Sequence, residues 1–161
     1  MIQKIQTSYL LLAAVAMALT LHFPLGTIVV GEDTIVLNAF NVSILGESVQ
    51  ATWLYICLIV MLALPALLSA IIIFLYKNRM LQFRLCVSNI VLHLGALACI
   101  AVYCWRMSVG ISALAQYQEA ERIFTLGWVS LMPVISIILV SLAMRGIAKD
   151  EALVRSLDRI R

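Results

Sequence analysis

The sequence predicts an all-α transmembrane fold: a four-helix bundle with both termini cytoplasmic, a small β-hairpin-like extracytoplasmic loop and an amphipathic cytoplasmic C-terminal helix. Three observations predict it. The 161 residues are 64% hydrophobic and only 12% charged, with a mean hydropathy of +1.08, well outside the composition of soluble domains. Four stretches reach the roughly 20 apolar residues needed to cross a hydrocarbon core of about 30 Å. Basic residues gather on one side of those stretches, as the positive-inside rule requires.

The first helix is expected over residues 5–23. Lys4 gives it a basic start, and Ala14-Val-Ala16 and Ala16-Met-Ala18 mimic a signal-peptide cleavage site. The apolar run continues past both to Phe23, so the segment reads as a retained helix rather than a leader. An outer β-like loop follows over residues 24–50, where Leu and Ala give way to Val, Ile, Thr and Asn. Thr27–Val30 and Thr34–Leu37 flank Gly31-Glu-Asp33, a hairpin with a three-residue turn. Phe40, Val42 and Ile44 alternate beyond it, as a third strand or as a cover for the outer helix ends.

The second, third and fourth helices are expected over 53–76, 86–107 and 123–144, with a tail over 145–161. Little chain remains, so residues 1–161 read as a single transmembrane domain. Placing the N-terminus inside puts Lys4, Lys77, Arg79, Arg84, Arg145, Lys149, Arg155, Arg159 and Arg161 inside, nine of the eleven basic residues. Trp53, Tyr55, Tyr103, Trp105 and Trp128 then mark the outer boundary and read as interfacial anchors. The net charge of +3 is a consequence of topology; with no basic stripe carrying interleaved aromatics, no nucleic-acid partner is expected.

Pro65 and Pro133 are expected near the middles of the second and fourth helices, each followed twelve residues later by a base, Lys77 and Arg145. That echo is compatible with a parallel duplication of helix pairs. Each proline removes one helical hydrogen bond and should kink its helix.

Polar residues inside the spans are few. Asn89 and His93 lie four apart on the third helix and so share a face, with His93 roughly 10 Å beyond the helix start expected at Cys86. Such a pair is either a functional group, for example a proton relay, or a packing device bonded to itself and to neighbouring helices; the absence of any acid within the apolar spans favours packing. Two histidines on different helices make a poor metal site, so neither a metal nor another cofactor is expected. Cys57, Cys86, Cys99 and Cys104 form no Cys-x-x-Cys pair and read as small buried hydrophobes, with a Cys57 to Cys104 bridge left open by their similar depth. No phosphate-binding loop, metalloprotease motif, nucleophile elbow or pair of intramembrane carboxylates occurs, so no enzymatic activity is expected.

The start MIQKIQTSYLLLAA, the turn FLYKNRMLQFRLCVSN (Phe74 to Asn89) and the ending IAKDEALVRSLDRIR (Ile147 to Arg161) together resemble the bacterial membrane-protein family catalogued as domain of unknown function 4293. The resemblance covers the whole chain. It implies four helices in the inner membrane of a bacterium and supplies no activity, substrate or catalytic residue.

The remaining distinctive feature is the tail. As a helix it aligns Leu153, Leu157 and Ile160 on one apolar stripe with Val154 beside it, amid mixed charge, and Glu151 precedes Arg155 by the favourable four residues. A lipid-binding helix would favour bases over this near balance; a protein groove suits it better. The expected function is therefore a small accessory or scaffold subunit of an inner-membrane assembly. It docks through Leu153, Leu157, Ile160 and Arg155 of the tail and Lys77, Arg79 and Arg84 of the inner turn. The expected partners are membrane lipids and another inner-membrane protein or a second copy. The alternative is a small oligomeric transporter or channel using Asn89, His93 and kinks at Pro65 and Pro133.

Overall fold

A computed structural model describes residues 2–40, 42–44, 47–49, 53–75, 78–112 and 122–158. Helix α1 (Ile2–His22) leads into strands β1 (Gly26–Val30), β2 (Asp33–Leu37), β3 (Val42–Ile44) and β4 (Glu47–Val49). Helices α2 (Trp53–Phe74) and α3 (Arg79–Ser112) follow, then β5 (Arg122–Leu126), a 3-10 turn (Trp128–Leu131) and α4 (Met132–Asp158).

The four helices pack in a closed ring, α1 against α2 and α4, and α3 against the same two. All four are long and apolar enough to cross a membrane, and no more than a third of each apolar window is buried inside the protein. Leu11, Leu67, Ile71, Val91, Leu94 and Ile138 are among the large side chains turned outward. Each would forfeit about 1.5–3 kcal/mol by facing water rather than an apolar medium, a cost that a lipid surround removes. Helices that are apolar on all sides, with their small buried faces turned inward, fit a membrane and not a soluble body.

The strands form one antiparallel sheet in the order β4-β3-β2-β1-β5. Val30 pairs with Asp33, so the hairpin turns on two residues, Gly31 and Glu32, rather than on the three expected. Gly31 has φ +61°, in the left-handed region where glycine has no Cβ to clash. Val42–Ile44 does add to β2 as a third strand, and β4 adds a fourth.

The fifth strand overturns the expected start of the fourth helix. Residues 122–126 pair with β1 from Gly26↔Leu126 to Val30↔Arg122, and α4 begins only at Met132. Gly127 carries the chain from this strand toward α4: its N–H donates to the Leu25 carbonyl at 2.8 Å, and the Ser130 hydroxyl donates to the same oxygen. A Cβ on Gly127 would stand 2.5 Å from the Pro24 oxygen and 2.9 Å from that of Leu25, so only glycine allows the approach.

Two apolar clusters fill the ring. Toward the sheet, Leu25, Ile28, Val30, Ile35 and Leu37 pack on Met17, Leu58, Leu62, Ala96, Ile100 and Tyr103. Toward the termini, Leu10, Ala13, Ile72, Cys86, Val140, Ala143 and Ile147 form the second. Tyr55 and Tyr103, expected as interfacial anchors, are 3% and 1% exposed and meet edge to face at 5.5 Å; they belong to the core beneath the sheet. The Tyr103 hydroxyl donates to the Asn38 carbonyl at 3.0 Å, satisfying the polar tip and fastening the sheet to α3. Trp105 and Trp128 are exposed, as anchors should be.

Three further expectations are corrected. Helix α3 starts at Arg79 and ends at Ser112, beyond the expected 86–107 at both ends. The tail is no separate helix, since α4 runs without a break to Asp158. Pro133 is the second residue of α4, where a proline N–H would be unbonded anyway, so it does not kink the helix. Pro65 lies in the interior of α2, and the two prolines are therefore not equivalent positions of a duplicated pair.

Candidate functional site

Antiparallel pairing of α2 and α3 brings Ser69, Asn89 and His93 together between the two apolar clusters, each 0% exposed. The Ser69 hydroxyl donates to the Pro65 carbonyl four residues back, at 2.8 Å. It accepts in turn from the Asn89 amide, Nδ2 to Oγ at 2.7 Å. His93 Nδ1 lies 2.7 Å from the Asn89 carbonyl oxygen on its own helix. A carbonyl only accepts, so Nδ1 carries the hydrogen, and in the neutral ring Nε2 is then an acceptor. Asn89 Oδ1 and His93 Nε2 have no hydrogen-bond partner in the structure.

The depth of this layer differs from the sequence expectation. Because α3 begins at Arg79, His93 lies fourteen residues into it, about 21 Å along the axis rather than about 10 Å. At the far end, Arg79 donates to the Asp150 carbonyl of α4 at 3.2 Å. Fourteen residues back from Asp150 is Ser136, which is fully buried and donates to the Ala13 carbonyl of α1 at 3.3 Å.

The second candidate lies at the terminal end. Gln6 of α1 donates from Nε2 to Asp150 Oδ2 at 2.9 Å, with both residues buried. This bond and the Arg79 contact hold the start of the tail between α1 and α3. Beside them Arg79, Met80, Phe83, Ile147, Ala148, Glu151 and Ala152 line a groove of about 280 Å³. It adjoins a wider opening that includes Arg84 and Val154. Leu153 is 56% exposed, and Val154, at the edge of that opening, is 39% exposed. Arg155 and Leu157 lie on α4, but their side chains are outside the described set, as are Lys77 and Ile160 altogether.

The cysteines are free thiols. Cys86 and Cys104 are buried as expected, Cys99 is half-buried, and Cys57 is exposed, which corrects its reading as a buried hydrophobe. Among the described residues no group of three His, Cys, Asp or Glu side chains gathers in metal-binding range.

Spacing found Asn89 and His93, but it missed Ser69 as their partner and Gln6 with Asp150 as the lock on the tail. Both pairings cross between helices. The only sequence signal for them is a polar residue, Gln6, Ser69 or Asp150, standing at the edge of or inside an apolar run.

The chain matches the family model described as Domain of unknown function (DUF4293) over residues 2–160. No curated protein matches it.

Proposed function

The chain belongs to the DUF4293 family, and from this premise we propose that it is a small accessory or scaffold subunit of a bacterial inner-membrane assembly, a four-helix bundle with both termini cytoplasmic. The observation that carries the reading is the tail. Helix α4 continues past its apolar span, is anchored at its base by Gln6 to Asp150 and Arg79 to Asp150, and then presents Leu153 and Val154 outward. An anchored helix with a free apolar stripe loses little conformational entropy on docking, which favours recognition of a protein groove. The orientation rests on Arg79, Arg84, Arg145 and Lys149 lying at the end where α1 begins and α4 leaves the ring.

Tail-dependent capture tests it. Cross-linking in native membranes followed by purification in mild detergent should recover a stoichiometric companion, another membrane protein or a second copy. Leu153→Asp or deletion of Glu151 to Arg161 should abolish that recovery while the chain still inserts. A full-length chain that runs alone, or a companion retained by both variants, would overturn the proposal.

The transporter or channel reading draws on Asn89 and His93, whose orphaned acceptors docking does not use. It has lost Pro133 as a kink and keeps Pro65 alone.

A further inference from the structure

Two regions of the molecule are not absorbed by the docking reading: the exposed apolar edge at Ile123, Phe124 and Leu126, and the polar layer of Ser69, Asn89 and His93. Among the described residues, only the layer contains buried side-chain polar atoms with no hydrogen-bond partner. We infer that the Ser69, Asn89 and His93 layer is a binding site for one small protic donor, a water molecule or the proton it delivers.

The direction of the hydrogen bonds forces this chemistry. Ser69 gives its hydrogen to the Pro65 carbonyl, and Asn89 gives one to Ser69. His93 gives its Nδ1 hydrogen to the Asn89 carbonyl. One of the two Asn89 amide hydrogens is used in this way, and the two buried atoms left with no partner at all, Asn89 Oδ1 and Nε2 of the His93 ring in its neutral form, are both acceptors. Two acceptors cannot satisfy each other. A ligand bearing O–H hydrogens can satisfy both, and ordered water commonly fills this role for otherwise unpaired buried groups. Asn89 and His93 lie one helical turn apart on the same face, which is within the reach of a bridging water.

The same lone pair can take a proton. In that step an O–H bond of a hydronium ion breaks, an N–H bond forms at Nε2, and the positive charge of the hydronium passes to the imidazolium, with a neutral water left behind as acceptor. The ring would face no competing titratable group at its level. Between Tyr9 and His22 on α1, between Cys57 and Phe74 on α2, and from Trp128 to Met144 on α4, no residue titrates; on α3 the nearest are Cys86 and Cys99. His93 is therefore the group in mid-span at which a delivered proton would be received.

The chain has two histidines, so nitrogen NMR of 15N-histidine-labelled protein in bilayers gives two ring systems, and His22→Gln assigns them. His22 is exposed at the end of α1 and serves as the hydrated reference. The expected spectrum shows His93 as the Nδ1–H tautomer with a cross-peak from water protons to Nε2, lost in Asn89→Leu. On acidification from about pH 8 to about pH 5, a ring that stays neutral with the cross-peak identifies bound water alone. A shift to the imidazolium signature identifies the delivered proton. An Nε2–H tautomer, or a neutral ring without water contact across the whole range, would overturn the inference. Should Asn89→Leu fail to fold, the spectrum of the unsubstituted protein decides by itself.

Discussion

Gln6 and Asp150 are separated by nearly the whole chain, yet their 2.9 Å bond closes the terminal end of the ring. A buried acceptor stripped of its donor retains its desolvation penalty, about 1–3 kcal/mol. Gln6→Leu should therefore lower the unfolding free energy of the detergent-solubilised protein by about that amount, while Gln6→Asn, with its amide retained on a shorter arm, should lose less. Equal losses would mean that packing rather than the hydrogen bond matters at this position. Asp150 is a fixed acceptor at the base of the tail, not part of its free polar face.

Among the elements, the hairpin and the tail behave differently from what their composition suggests. The β1 to β2 connection was legible because β-branched runs flank a glycine, and its two-residue form then demands a positive φ at Gly31. Nothing lies within 4 Å of a Cβ placed there. Gly31→Ala should thus cost only the left-handed backbone penalty, roughly 1–2 kcal/mol, and Gly31→Asn distinctly less. Comparison of their melting temperatures with wild type checks the ranking. The tail was legible as a helix but not as an extension of α4. Apolar periodicity is the same in both cases, and the difference lies in whether the backbone continues through Gly146 and Lys149, as it does.

For the whole molecule, the shared end of α1 and α4 makes a topology prediction independent of any activity. In a protein whose native cysteines are replaced by serine, Glu32→Cys should react with a membrane-impermeant thiol reagent applied to intact cells. Ser156→Cys should react only after permeabilisation. The reverse pattern would invert the proposed orientation and move the tail to the outside; reaction of both in intact cells would separate the two ends of the structure from the two sides of a membrane. The sheet adds a second property of the whole. It draws β5 from after α3 onto β1 from before α2, so the sheet end of the ring is closed by segments far apart in the chain, Val30 pairing with Arg122. In the sequence Ile123 to Leu126 runs directly into an apolar stretch and shares its hydrophobicity, which is why it reads as helix. Its β-branched and aromatic residues, set between Arg122 and Gly127, were the available signal.

The sequence by itself determined that the chain carries four segments long and apolar enough to cross a membrane, and where its basic residues gather. Both follow from sums over consecutive side chains, because transfer from water to an apolar medium is nearly additive and needs no knowledge of neighbours. It also placed Asn89 and His93 on one face, a matter of helical period alone. Only the tertiary structure decided that Arg122–Leu126 is a strand, that Asp150 is locked to Gln6, that Tyr55 and Tyr103 are core, and that Asn89 Oδ1 and His93 Nε2 are left without donors. Each of these depends on which atoms meet across elements. Hydrogen bonding is directional and pairwise, so no sum along the chain contains it.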